Sequence, residues 1–171
     1  MPRSTTKAHA DAPAVAYIGL GANLGDAAAT VRAAIDAVGH LPRTELTRRS
    51  PLYRSAPIDA AGPDYINAVI AVTTGLAPQE LLAQLHAIEH AHGRKRPYRN
   101  APRSLDLDLL LYGDRMIDSA QLCVPHPRMH QRGFVLKPLH DIAPNIVIPG
   151  HGPAALFLAR LEDQALTRLD A

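Results

Sequence analysis

The chain has 171 residues, enough for one domain with a core of its own. Apolar residues make up 47% and charged residues 20%, the balance of a soluble globular protein. The formal net charge of +2 argues against a partner held by bulk charge, so neither nucleic acid nor membrane is expected.

Residues 1–13 are polar and Ala-rich and lack the apolar centre of a signal peptide. They read as a disordered tail, and residues 14–171 as a single domain. No apolar run approaches membrane-spanning length. Cys123 is the only cysteine, which excludes an intrachain disulfide and suits a reducing compartment. A cytoplasmic monomer is expected.

Val15 to Ile18 reads as a buried strand, ended by Gly19, Gly21 and Gly25. Asp26 then starts a helix with Val31, Ile35 and Val38 on one stripe and Gly39 as its stop. A strand is expected between Glu45 and Tyr53. The stretch from Ser55 to Pro63 is a loop rich in turn residues. From Tyr65 to Thr74 a strand places Ile66, Ala68, Ile70 and Val72 on one face and Asn67 on the other. Pro78 sits in the first turn of a second helix, with Leu81, Leu82, Leu85 and Ile88 as its apolar stripe and Gly93 as its end. Ser104 to Tyr112 is a further strand, Leu122 to Val124 a short one, and Asn145 to Ile148 another. A helix is expected from Pro153 to Leu161. The order β-α-β-β-α-β with a C-terminal extension predicts an α+β fold: a ferredoxin-like βαββαβ sandwich with an antiparallel sheet. The sheet face away from the helices is then either covered by the extension or open to ligands.

The segment from Arg94 to Asp108 carries the strongest chemical signal. Four Arg and one Lys crowd a loop that runs into Asp106-Leu107-Asp108. Side chains alternate along a strand, so the two carboxylates point the same way, with their stems about 7 Å apart. Leu105, Leu107 and Leu109 take the core face. Two carboxylates beside many guanidinium groups suit a polyphosphate held with a hard cation, since Arg matches phosphate oxygens and carboxylates bind such cations through oxygen. The plainer reading is a solvated basic loop before a half-buried strand.

Two patterns imitate other chemistries. Gly19-x-Gly21-x-x-x-Gly25 follows a strand and precedes a helix, as in a dinucleotide fold, but Asp36 lies inside the helix rather than after a second strand. A tight turn or a close backbone approach explains these glycines better. His86-x-x-Glu89-His90 spells a zinc-hydrolase motif, yet Glu162 is the only Glu that follows. A helix face beside a nucleotide, with Glu89 accepting hydrogen bonds, is the preferred reading. Asn67 is either a bystander or a reader of a heterocycle's edge, and Phe134 either core or a stacking ring.

Several blocks together resemble one known family. They are Ala16-Tyr17-Ile18-Gly19-Leu20-Gly21-Ala22-Asn23-Leu24-Gly25, Asp64-Tyr65-Ile66-Asn67-Ala68, Pro102-Arg103-Ser104-Leu105-Asp106-Leu107-Asp108, and Val124-Pro125-His126-Pro127 through Arg132-Gly133-Phe134. Over about residues 14 to 150 the chain resembles the 6-hydroxymethyl-7,8-dihydropterin pyrophosphokinases of folate biosynthesis. The resemblance implies a ferredoxin-like fold and transfer of the β,γ-diphosphate of ATP to the pterin hydroxymethyl group, releasing AMP, with two Mg²⁺ ions. It implies that Asp106 and Asp108 hold the metal, and that Arg94 and Arg103 act from a catalytic loop. Arg96, His126 and Arg132 would meet the ATP phosphates, with Leu82, Glu89 and Leu109 lining the nucleotide. Asn67 would read the pterin edge, Tyr65 and Phe134 hold its rings, and the main chain at Ser55, Ala56 and Ile58 close the pocket. Asn100 stands where some members have Trp, and Gln121 and Cys123 stand where some have Arg and Thr. A non-catalytic ferredoxin-like module binding RNA or a small ligand is the first rival, its RNA-binding version weakened by an aromatic content of 4% with no patterned exposed rings.

Overall fold

The computed structural model describes residues 12–57, 62–93 and 105–169. Strand β1 (Ala14–Ala22) lies in the middle of the main sheet. It pairs antiparallel with β4 (Tyr65–Thr74) on one side and with β5 (Asp106–Tyr112) on the other. Both β2 (Thr44–Arg49) and β3 (Tyr53–Ser55) pair with the far edge of β4, and the C-terminal β10 (Leu166–Arg168) pairs with β3.

Two helices cover one face. Helix α1 (Ala27–Gly39) is capped by Asp26, whose carboxylate accepts from the Ala29 N–H at 3.1 Å. Its stripe of Val31, Ile35 and Val38 is fully buried. Helix α2 (Pro78–Gly93) opens with Glu80 reaching back to the Ala77 N–H at 2.8 Å, the reciprocal half of a capping box. Leu81, Leu85 and Ile88 are buried, while Leu82 is half-buried at the core's margin. These stripes meet the alternate residues Ile18 and Leu20, Ile66 to Val72, and Leu105, Leu107 and Leu109. Strand periodicity therefore assigns the core face as the sequence leads one to expect.

The opposite face is half covered. Helix α3 (Gly133–Ile142) packs Val135, Leu136 and Leu139 on Val69, Ala71 and Leu110. Beside it lies the pair β8 (Val147–Ile148) with β9 (Gly152–Pro153), whereas β6 (Ile117–Asp118) with β7 (Cys123–Val124) packs Ile117 and Val124 into the core under the two helices. Helix α4 (Ala154–Leu158) continues into a 3₁₀ turn at Ala159–Leu161. Among the described residues no helix is long and apolar enough to cross a membrane.

The structure departs from the sequence reading in several places, the short strands β6 and β9 among them. Gly19 and Gly21 do not end β1; they continue it, because their backbone groups pair with β4 and β5. The strand expected from Glu45 to Tyr53 divides in two around Ser50 and Pro51, where Pro51 has no N–H to offer a ladder. Helix α3 has no counterpart in the sequence reading, although Val135, Leu136, Leu139 and Ile142 follow a helical period; Pro138 sits inside it. Strand β10 was also not expected.

Candidate active site

The site is laid out by one row of the sheet. Gly21 of β1 pairs with Asn67 of β4 and with Asp106 of β5. Directly paired residues project from the same face, so Asn67 and Asp106 rise on either side of a residue that has no side chain. One pleat along, Gly19 pairs with Asp108. The two glycines keep the floor between these side chains low. A Cβ on Gly21 would lie 3.2 Å from Asn67 Oδ1.

Above this floor is a cavity of about 470 Å³. On the β4 side it is walled by Ser55, Ala56, Pro57, Tyr65 and Asn67. On the β5 side stand Asp106 and Asp108, with Arg128 and Arg132, while Phe134 and Val135 enter from the start of α3. The cavity thus has a largely neutral wall and a strongly charged one.

Asn67 is buried at 3% exposure, and its Nδ2 donates to Ser55 Oγ at 2.8 Å. That bond holds the amide upright and leaves further donor and acceptor capacity for a ligand. The carboxylates are half-buried on the charged side. The Leu107 N–H between them donates to Glu89 Oε2 of α2 at 2.8 Å. A helix on the core side therefore fixes the strand that presents Asp106 and Asp108.

His126 is set by its backbone and its neighbours. Its own N–H donates to the Leu110 carbonyl at 2.9 Å, and the Arg128 N–H donates to its Nδ1 at 3.1 Å. In the neutral ring the proton then sits on Nε2, the remaining donor. Burial holds the His126 pKa below its ordinary value. Asp108 opposes that shift, and Arg132 and Arg128 add to it. Arg132 lays its guanidinium 5.5 Å from the centre of the Phe134 ring, a cation–π contact at the cavity wall.

The structure brings Ser55, Ala56, Tyr65, Asn67, Asp106, Asp108, Arg132 and Phe134 to one cavity, with His126 in the electrostatic reach of Asp108. Leu82, Glu89 and Leu109 do not line it: Leu109 is buried at 3% exposure in the core on the other sheet face, Leu82 packs against that core, and Glu89 holds Leu107. Ile58, Arg94, Arg96 and Arg103 lie outside the described residues. Sequence reasoning passed over Arg128 and Val135, and it ended the strand at Gly19 and Gly21, read as a tight turn with a close backbone approach. The readable signal was their i, i+2 spacing, which puts both glycines on one strand face.

A family model described as 7,8-dihydro-6-hydroxymethylpterin-pyrophosphokinase matches residues 17–144. A Pseudomonas aeruginosa protein named 2-amino-4-hydroxy-6-hydroxymethyldihydropteridine pyrophosphokinase is 44% identical over 90% of this chain and 95% of its own. A Haemophilus influenzae protein of the same name is 39% identical over 91% of this chain and 98% of its own. Among solved structures, wild-type Plasmodium falciparum HPPK-DHPS superposes with a TM-score of 0.68 at 13% identity, covering 88% of this chain and 41% of that one. The chain thus spans less than half of that protein, and at such identity the likeness is one of fold. With a model match through both the Asp106-Asp108 strand and the His126-to-Phe134 segment, the chain belongs to the 7,8-dihydro-6-hydroxymethylpterin-pyrophosphokinase family.

Proposed function

We propose that this protein transfers the β,γ-diphosphate of ATP to the hydroxymethyl group of 6-hydroxymethyl-7,8-dihydropterin, releasing AMP, in folate biosynthesis. The observation that carries the reading is the two-sided cavity: an Asn67–Ser55 pair with Tyr65 and Phe134 on one part, paired carboxylates with two Arg on the other. A pterin is flat with a hydrogen-bonding edge. Asn67 offers both donor and acceptor to that edge, while Phe134 and Tyr65 offer ring faces. A triphosphate needs cations and positioning more than it needs a covalent nucleophile. Arg132 and Arg128 supply fixed positive charge, and neutral His126 supplies an Nε2–H donor.

Asp106 and Asp108 fit Mg²⁺. They are hard oxygen donors on one strand face, and among the described residues no group of three or more His, Cys, Asp or Glu forms a cage. That is the expected donor set for an ion that takes the rest of its shell from phosphate and water. Mg²⁺ bound there would share the negative charge of the transferring phosphates. Two ions, and contacts from Arg94, Arg96 and Arg103, belong to the same reading.

The order of elements and the central β1 between β4 and β5 support a ferredoxin-like sandwich for residues 14–171 as one domain. Exposed, free Cys123 suits the cytoplasm.

The test is product analysis. Protein, ATP, Mg²⁺ and 6-hydroxymethyl-7,8-dihydropterin are incubated and the nucleotides separated. Pterin-dependent AMP is expected. Pterin-dependent ADP would replace the reading with single phosphoryl transfer, and no turnover by folded protein would overturn it.

A further inference from the structure

The segment after α4 contains one side chain with an unusual set of partners. Gln164 Oε1 accepts from the Gly133 N–H at 2.7 Å, and Gln164 Nε2 donates to the Gln131 carbonyl at 3.2 Å. One carboxamide thus grips the backbone on both sides of Arg132. The polarity is settled by the partners, since an N–H requires the oxygen and a carbonyl requires the NH₂.

Those two backbone groups have little else to hold them. Arg132 is the N-cap residue of α3 and makes no side-chain capping bond. The first N–H groups of a helix lack intrahelical partners, so Gln164 caps α3 from more than thirty residues away in sequence. The fit is close: a Cβ on Gly133 would lie 3.1 Å from Gln164 Oε1 and 3.4 Å from Gln164 Cβ. The segment bearing Gln164 is itself anchored. Its N–H bonds the Leu161 carbonyl at 3.0 Å, Leu166 pairs with Ser55, and the Leu169 N–H bonds the Leu52 carbonyl at 2.9 Å. The same C-terminal segment, Gln164 with the strand that follows it, therefore supports Ser55, the partner of Asn67, and the turn that carries Arg132 and Phe134.

We propose that Gln164 is a positioning residue for the cavity: by clasping Gln131 and Gly133 it sets the place of Arg132 and Phe134, through which the C-terminal strand controls substrate affinity. This rests on the functional reading above for its substrates, though not for its geometry. Gln164 touches neither substrate on this account. It acts by reducing the freedom of the turn that does, so its loss weakens ground-state and transition-state binding alike.

The experiment uses the full-length enzyme with Gln164→Ala and Gln164→Glu. Gln164→Glu keeps the oxygen that caps Gly133 and loses the donor to Gln131. Initial rates of AMP formation are measured while pterin and ATP are varied in turn, and exchange of the Gly133 amide proton is followed by NMR. In Gln164→Ala the pterin KM should rise about fivefold to tenfold with kcat changed less than about twofold, since only part of the two lost hydrogen bonds is felt in binding. The Gly133 amide should exchange faster, and Gln164→Glu should restore its protection but recover only part of the KM, because its second oxygen faces the Gln131 carbonyl. Unchanged KM values in Gln164→Ala, or equal losses in the Ala and Glu variants, would overturn the proposal. If the wild type makes no pterin-dependent AMP, the functional reading fails by itself. The Gly133 exchange rates then still decide whether Gln164 holds the turn.

Discussion

Glu89 of α2 and Leu107 of β5 are joined by a 2.8 Å hydrogen bond from the Leu107 N–H to the Glu89 carboxylate. Leu107 stands between Asp106 and Asp108, so the bond ties a core helix to the strand that presents both acids. Replacing Glu89 by Ala leaves a part-buried N–H without this acceptor. The expected cost is about 1–3 kcal/mol of stability. Glu89→Gln retains an oxygen for Leu107 and should lose less. Urea denaturation of the two variants checks this, and equal stability of Glu89→Ala and wild type would show the bond to be dispensable.

Asp108 is half-buried at the cavity and belongs to no apolar cluster. Asp108→Ala should therefore fold normally while diphosphate transfer falls by about 10²-fold to 10³-fold or more, the scale of losing a main electrostatic stabiliser. Circular dichroism and AMP formation measured side by side separate the two. A variant that keeps most of its rate would remove Asp108 from the metal-holding role.

Gly21 and Asn67 share one row, and a methyl group on Gly21 would press on Asn67 Oδ1 at 3.2 Å. Gly21→Ala should raise the pterin KM about tenfold, a cost of about 1.4 kcal/mol, with little change in the ATP KM. Asn67→Ala should act in the same direction. Because both disturb one amide, the double variant should fall well short of the summed effects. Full additivity, or an equal rise in the ATP KM, would detach Asn67 from pterin recognition.

Tyr53 donates its phenol proton to the Asp141 carboxylate, and burial with that bond pushes its pKa up to about 12. The unfolded chain would release this proton near 10.0, the folded protein only near 12. Between those values the native state holds more protons, so stability is present below the window and declines as pH rises through it. Phenolate absorbance against pH, with Tyr53→Phe as the blank, should show one tyrosine titrating late. A Tyr53 that ionises near 10.0 would mean the Asp141 bond is not made in solution.

Much of this molecule was legible in its sequence because alternation and caps are local signals. The period of two in Ile66 to Val72 and in Leu105 to Leu109 gave the core face, and therefore the opposite face for Asn67, Asp106 and Asp108. Asp26 and Gly39 marked helix ends that the structure keeps. What stayed hidden depends on partners distant in the chain. Gly19 and Gly21 look like a turn until β4 and β5 pair with them on both sides. Helix α3 contains a Pro and has no side-chain N-cap of its own; its first N–H is satisfied by Gln164. Arg128 reads as one more surface cation, and only the fold brings it to the cavity that the acids line.

The row Asn67–Gly21–Asp106 makes the sheet a ruler. Two strand spacings set the backbone separation of the outer residues at about 9.6 Å. That length is fixed by two ladders of main-chain hydrogen bonds on a central strand, which no surface loop can stretch. Changes in the loops bordering the cavity leave the separation of Asn67 and Asp106 constant. The irregularity in the β1–β5 ladder falls at Tyr17 and Ile18, beyond the measured interval, and so does not add to its length.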